Sequence, residues 1–140
     1  MFVLDTNVIS ELMRDRPHLD VLAWLDNQLT SALFVTTITE AEIRTGIALL
    51  PEGKRRRGLT AAAERTFGAL FSERVLSFDS EAARAYAEIA SSRRMAGHPI
   101  SQADCQIAAI ARSQGLSIAT RDVDDFEGCG IDVLNPWTDQ

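Results

Sequence analysis

What this sequence has little of narrows its chemistry before any motif is considered. Cysteine occurs twice, at Cys105 and Cys129, without CxxC spacing, and the two histidines, His18 and His98, stand apart beside loops. A thiolate zinc site is therefore disfavoured, neither histidine is assigned a catalytic role, and the cysteines read as ordinary reduced thiols. No apolar run approaches the roughly 20 residues that a membrane-spanning helix needs. The opening MFVLDTN lacks a basic stretch followed by an apolar one, so no signal peptide is visible and a cytoplasmic location is expected. Excess positive charge is missing too. The net charge of −6 argues against broad electrostatic attraction to nucleic acid. It still permits a nucleic-acid enzyme, because carboxylates serving as metal ligands enter that total.

The 140 residues, 46% of them hydrophobic, suit one folded domain spanning 1–140. Phe2 to Leu4 reads as a buried strand followed by a helix from about Thr6 to Met13. An amphipathic helix carrying Trp24 follows Pro17, and Leu33 to Thr36 is a second strand. Thr39 is expected to open the next helix, and Lys54-Arg55-Arg56-Arg57 to begin another that reaches about Phe71. Val75 to Phe78 forms a third strand, and Asp79 or Ser80 caps a long Ala-rich helix. Ser101 caps a further helix that ends before Gly115. Leu116 to Thr120 is a fourth strand, and Ile131 to Leu134 a fifth. This alternation predicts an α/β fold with a mostly parallel sheet of four to five strands, covered on both faces.

Ligands of such folds bind beyond the carboxyl ends of the strands. Asp5 ends the first strand, Glu42 follows the second after a short gap, and Asp122 follows the fourth. If the strands run parallel, all three acids meet at one edge. Asp104 belongs to the apolar face of its helix, since positions three, four and seven onward are Ile107, Ala108 and Ala111. A carboxylate turned inward there needs a partner or a metal. Each acid alone reads equally as a helix cap or a solvated charge, and Thr39–Glu42 and Ser101–Asp104 both have capping-box spacing. Together they suggest a site for a hard cation such as Mg²⁺ or Mn²⁺, which takes oxygen ligands. Without a histidine or cysteine nucleophile nearby, metal-assisted hydrolysis is the chemistry indicated.

The segments FVLDTNVISEL, TEAEIRTGIALL, ISQADCQIAAIA and IATRDVDDFEGCGIDVLNPW closely resemble the PIN-domain ribonucleases. Within that family the nearest likeness is to the VapC and FitB toxins of bacterial toxin–antitoxin pairs. The resemblance covers nearly the whole chain and implies a PIN-like three-layer α/β/α sandwich. It implies Asp5, Glu42, Asp104 and Asp122 as acids around one or two Mg²⁺ or Mn²⁺ ions, with Thr6 and Asn7 supporting the first. Many relatives carry Asn where this chain has Asp122 and place the fourth acid three residues later, which here is Asp125, whereas FitB-like members carry Asp in the first position. The likeness therefore favours Asp122, with Asp125 as its alternative and Asp124 third. Thr120 could position a ligand or a water, or be structural.

The implied reaction is endonucleolytic cleavage of cellular RNA, such as tRNA or rRNA, by a metal-activated water. The implied partners are a cognate antitoxin and a second copy of the chain, with DNA reached only through the antitoxin. Two other readings compete. One is a catalytically weak binding protein acting in a DNA-binding repressor complex. The other is an aspartyl phosphatase, which would want an acid where Asn7 stands. Lys54, Arg55, Arg56 and Arg57 read either as RNA phosphate contacts or as a solvated helix start. Arg93 and Arg94 read as surface charges. Trp24, Phe34, Phe67 and Phe71 read as core or as an antitoxin groove, and Trp137 as packing the C-terminal tail onto the domain.

Overall fold

Three residues of β1, Phe2–Leu4, set the frame of the molecule, whose computed structural model describes residues 1–139. The strand lies in the middle of a five-stranded sheet of order β3-β2-β1-β4-β5, with every pairing parallel. The other strands are β2 (Leu33–Thr36), β3 (Val75–Leu76), β4 (Ser117–Ala119) and β5 (Val133–Leu134). The helices are α1 (Thr6–Leu12), α2 (Leu19–Asp26), α3 (Thr37–Ala48), α4 (Lys54–Arg65), α5 (Ser80–Met95) and α6 (Gln102–Gln114). Among the described residues no helix is long and apolar enough to cross a membrane.

Alternate side chains of each strand point to opposite faces, and the two faces carry separate cores. Val3 and Ile118 pack with Ala82, Ile89, Ile107 and Ile110 of α5 and α6. Leu4 and Ala119 pack with Val8, Ile9, Val21, Trp24, Ile47, Ala63 and Phe67 from α1 to α4 and the turn after α4. The expected three-layer α/β/α sandwich is thus the observed architecture. Trp24, Phe67 and Phe71 are buried and Phe34 is half-buried against the core, so these aromatics belong to the interior.

Two expectations from the sequence need correction. Helix α3 starts at Thr37 rather than Thr39: the cap is Thr36, whose hydroxyl accepts the Thr39 N–H at 3.1 Å. The anticipated Thr39–Glu42 capping box therefore does not form. The third strand is two residues long because its ladder partner runs out: Leu76 pairs with Thr36, which already caps α3. The other caps follow the sequence closely. Asp79 accepts from Ala82 N–H at 2.9 Å, Ser101 from Asp104 N–H at 3.2 Å, and Gly115 ends α6 at φ +70°, where a side chain would be strained.

The chain moves outward on one side of β1 to reach β2 and β3, then crosses back to β4 on the other side. The β1/β4 junction is therefore the switch point of the sheet, where a crevice opens beyond the strand ends. Asp5 and Asp122 both follow strands at that junction.

Candidate active site

Asp5 occupies the first position after β1 and caps α1. Its Oδ1 accepts the Thr6 N–H at 2.8 Å, and its Oδ2 accepts the Thr120 hydroxyl at 2.8 Å. It is only 5% exposed. Burial pushes its pKa from 3.8 up to about 6; the hydrogen bonds from Thr120 and Thr6 oppose that rise, and repulsion from Asp104 and Glu42 adds to it.

Two chains of hydrogen bonds spread from this carboxylate. On one side the Thr6 hydroxyl donates to Glu42 Oε1 at 2.8 Å and lies 2.9 Å from the hydroxyl of buried Thr39. A hydroxyl has one proton to give, so Thr39 is the donor to Thr6. On the other side Thr120 Oγ1 accepts from Asn7 Nδ2 at 3.1 Å and from the Asp122 N–H at 3.0 Å. Asn7 Nδ2 also reaches Asp122 Oδ2 at 3.1 Å, while its Oδ1 accepts the Arg121 N–H at 3.3 Å. Thr6, Asn7 and Thr120 thus each hydrogen-bond to one of the acids, a partner that the sequence had not specified for them.

Asp104 enters from the first turn of α6, half-buried, with Ile107, Ala108 and Ala111 of the same face fully buried. Its pKa is raised mainly by burial, with further repulsion from Asp125, Glu42 and Asp122, while Ser101 opposes the shift. Asp5, Glu42, Asp104, Asp122 and Asp125 line one open cavity of about 520 Å³. The four expected acids are therefore brought together, and Asp125 joins them. Asp122 is fixed by Asn7, whereas Asp125 stands on the 3₁₀ turn Val123–Phe126 without a side-chain hydrogen bond among the described residues. Asp124 does not line the cavity.

None of the five carboxylates forms an ion pair among the described residues. All-oxygen donors carrying surplus negative charge suit a hard divalent cation. As the side chains stand, no group of three or more His, Cys, Asp or Glu among the described residues forms a ready-made metal cage. The two cysteines are buried and free, and burial pushes the Cys105 thiol up to about 11 and the Cys129 thiol upward too, so neither is a nucleophile. His18 is spent as the cap of α2, where its Nδ1 accepts the Asp20 N–H at 3.2 Å.

A second, larger groove of about 1470 Å³ adjoins the acidic cavity and shares Thr6, Ser10, Arg14 and Glu42 with it. The basic run divides here. Lys54 and Arg55 line the groove together with Arg16 and Arg65, whereas Arg56 and Arg57 do not. Cations in the first turn of α4 oppose the helix dipole, and that turn holds no acid.

Several residues of this region escaped the sequence reading. Glu11, Arg14, Arg121 and Trp137 line the acidic cavity. Arg93, expected to be a surface charge, instead donates to three backbone carbonyls: His98 at 2.7 Å, Asp125 at 3.0 Å and Glu127 at 2.7 Å. It ties α5 to the turn that carries the fourth acid. Glu11 and Arg14 had a local signal, at spacings of four from Asn7 and three from Glu11; Arg93, Arg121 and Trp137 meet the site through contacts distant in the chain.

The PIN domain family profile matches residues 2–128. A VapC ribonuclease of Sinorhizobium fredii is 44% identical over 137 residues, covering 98% of this chain and 98% of its own. Toxin FitB of Neisseria gonorrhoeae is 42% identical over 139 residues, covering 99% and 100%. A solved structure of FitAB bound to an IR36 DNA fragment superposes with a TM-score of 0.93 at 41% identity, covering 100% of this chain and 98% of that one.

Proposed function

The chain belongs to the PIN domain family, and on that footing we propose that it is a metal-dependent endoribonuclease acting as the toxin of a toxin–antitoxin pair. The observation that carries this reading is the set of five carboxylates at one sheet switch point, none of them in an ion pair among the described residues. Likeness along nearly the full chain to a VapC ribonuclease and to toxin FitB supports the activity and the role.

Asp5, Glu42 and Asp104 would hold Mg²⁺ or Mn²⁺, and Asp122 would bind a second ion or orient the attacking water, with Asp125 as the alternative fourth acid. Such an ion, when bound, lowers the pKa of a water and offsets charge gathering on the phosphate. The residues of the chain do the rest. Thr120 and the Thr6 N–H fix both oxygens of Asp5, Thr6 fixes Glu42, and Asn7 fixes Asp122, so little side-chain ordering remains when the substrate arrives. Water adds across the phosphodiester: its oxygen joins phosphorus, the P–O bond to the 3′ oxygen breaks, and the products are a 5′-phosphate and a 3′-hydroxyl. Cellular RNA, with tRNA and rRNA as first candidates, is the substrate class.

The proposed partners are a cognate antitoxin covering the acidic cavity and a second copy of the chain, with a cytoplasmic location. The likeness to FitAB on DNA favours an additional role in a DNA-bound complex, contacting DNA only through the antitoxin. The test is incubation of the purified chain with total tRNA, with and without Mg²⁺ or Mn²⁺, beside an Asp5→Asn variant. Metal-dependent cleavage by the parent alone supports the reading; equal cleavage by both, or none with either metal, refutes the site as drawn.

A further inference from the structure

Glu11 is 4% exposed yet lies outside the acid set described above. It sits one helical turn beyond Asn7 on α1, and both line the acidic cavity. Its carboxylate meets Arg14 Nη1 at 3.4 Å and Arg121 Nη2 at 3.6 Å, and accepts the His18 N–H at 3.3 Å. The two arginines reach it from different elements: Arg14 from just past α1, Arg121 from just past β4. Both contacts are long, so most of the N–H donors of each guanidinium remain unspent. The side chains of Arg14 and Arg121 are 67% and 53% exposed.

Arg121 is held a second time. Its guanidinium lies 4.2 Å over the Trp137 ring, and the backbone N–H of Trp137 donates to Asn135 Oδ1 at 2.9 Å. Stacking on an indole leaves the N–H edge of a guanidinium free for another acceptor. Neither arginine pairs with Asp5, Glu42, Asp104, Asp122 or Asp125, so they are not counter-ions of the acids. An exposed arginine needs neither a buried carboxylate nor an indole to be tolerated. Here a buried Glu and a Trp hold two cations at the mouth of a cavity whose charge would otherwise repel a polyanion.

From this placement we infer that Arg14 and Arg121 grip backbone phosphates of the RNA strand at the cavity mouth, and that Glu11 is the positioning residue that sets where they stand. The inference rests on the nuclease reading for the reason a polyanion comes to this cavity. Arg forks match phosphate oxygens two at a time, and Arg14 also lines the adjoining basic groove, which continues the path.

The test follows fluorescence anisotropy of an end-labelled, short single-stranded RNA in Mg²⁺, in an Asp5→Asn background that leaves the strand intact. Arg14→Gln and Arg121→Gln are each expected to weaken binding about tenfold and to lower the slope of log affinity against log salt by about 1. Glu11→Gln should weaken binding only while the arginines are present, and add nothing in the Arg14→Gln/Arg121→Gln background. Unchanged affinity and slope in both arginine variants, or a Glu11→Gln loss that survives in full without the arginines, overturns the inference. Thermal unfolding checks each variant, and if Glu11→Gln does not fold, the arginine variants decide. Cleavage by the parent with Mg²⁺ or Mn²⁺ is measured alongside. Arginine-dependent binding without cleavage retires the nuclease reading and keeps the phosphate grip; cleavage with arginine-independent binding does the reverse.

Discussion

The Thr120 hydroxyl donates to Asp5 Oδ2 at 2.8 Å, joining residues 115 positions apart across the β1/β4 junction. Thr120 is fully buried and accepts in turn from Asn7 and from the Asp122 N–H, so one side chain aligns both ends of the acid set.

Replacing Thr120 by Val keeps the shape and removes the hydroxyl. A buried carboxylate oxygen and the Asn7 amide each lose a partner, a loss of about 1–3 kcal/mol by the usual penalty for such groups. Thermal unfolding should show that loss, and RNA cleavage should fall at least about tenfold if the alignment contributes as much to the transition state as one hydrogen bond. Thr120→Ser should recover most of both. A Val variant as active as the parent would show that Asp5 needs no orienting donor.

Asp5 gives a pH dependence with a defined sign. Its folded pKa of about 6 exceeds the 3.8 of the unfolded chain. Its contribution to stability is therefore fully present below about 4 and is lost as pH rises toward 6 and beyond. Without divalent ions, Asp5→Asn should be the more stable protein at pH 7.5, by up to about 3 kcal/mol at 1.4 kcal/mol per pKa unit. That advantage should shrink toward pH 4. Mg²⁺ or Mn²⁺ should raise the Tm of the parent at pH 7.5 and leave that of Asp5→Asn nearly unmoved. Denaturation across pH, with EDTA and with metal, checks each part.

The choice between Asp122 and Asp125 separates by experiment. Asp122→Asn is expected to reduce cleavage by about a hundredfold, the scale of losing one oriented group in a metal-assisted step. Asp125→Asn should cost activity less, and it removes the largest charge repulsion on Asp104, so the metal-free protein should gain stability. The reverse order of the two activities would make Asp125 the fourth acid.

Arg93→Gln should loosen the turn that bears both acids, because three carbonyls lose a charged donor. Amide exchange over residues 122–130 should speed up by about tenfold or more, as for a local opening made easier by 1.4 kcal/mol. Exchange in β1 and β2 should hold. Uniform acceleration across the chain would instead mark Arg93 as a general stabiliser.

The basic run should behave as two pairs. Lys54→Ala with Arg55→Ala should weaken RNA binding and reduce its salt dependence by about one unit of slope per lost phosphate contact. Arg56→Ala with Arg57→Ala should change neither, and equal effects from both pairs would dissolve the division seen at the groove.

Strand positions, helix caps at Asp79 and Ser101, the left-handed stop at Gly115 and the acids at strand ends were all legible in the sequence. Each depends on residues within a few positions, where periodicity and local hydrogen bonding decide the outcome. The start of α3 was misread by two residues because Thr36 and Thr39 are equally plausible caps by composition. Packing chose between them: Thr39 is buried, and its hydroxyl is taken by Thr6.

The sequence by itself determined which acids follow strands, and hence that they would gather at one edge of any sheet whose strands run parallel, because parallel strands end on the same side. Only the tertiary structure decided which side chains hold those acids. Asn7 meets Asp122, Glu11 meets Arg121, and Arg93 meets the carbonyls of Asp125 and Glu127 across gaps of 115 residues, 110 and 32 to 34 respectively. No local pattern encodes such partners, since each is selected by the sheet order that brings β4 beside β1 and by the burial that leaves a polar group there needing one.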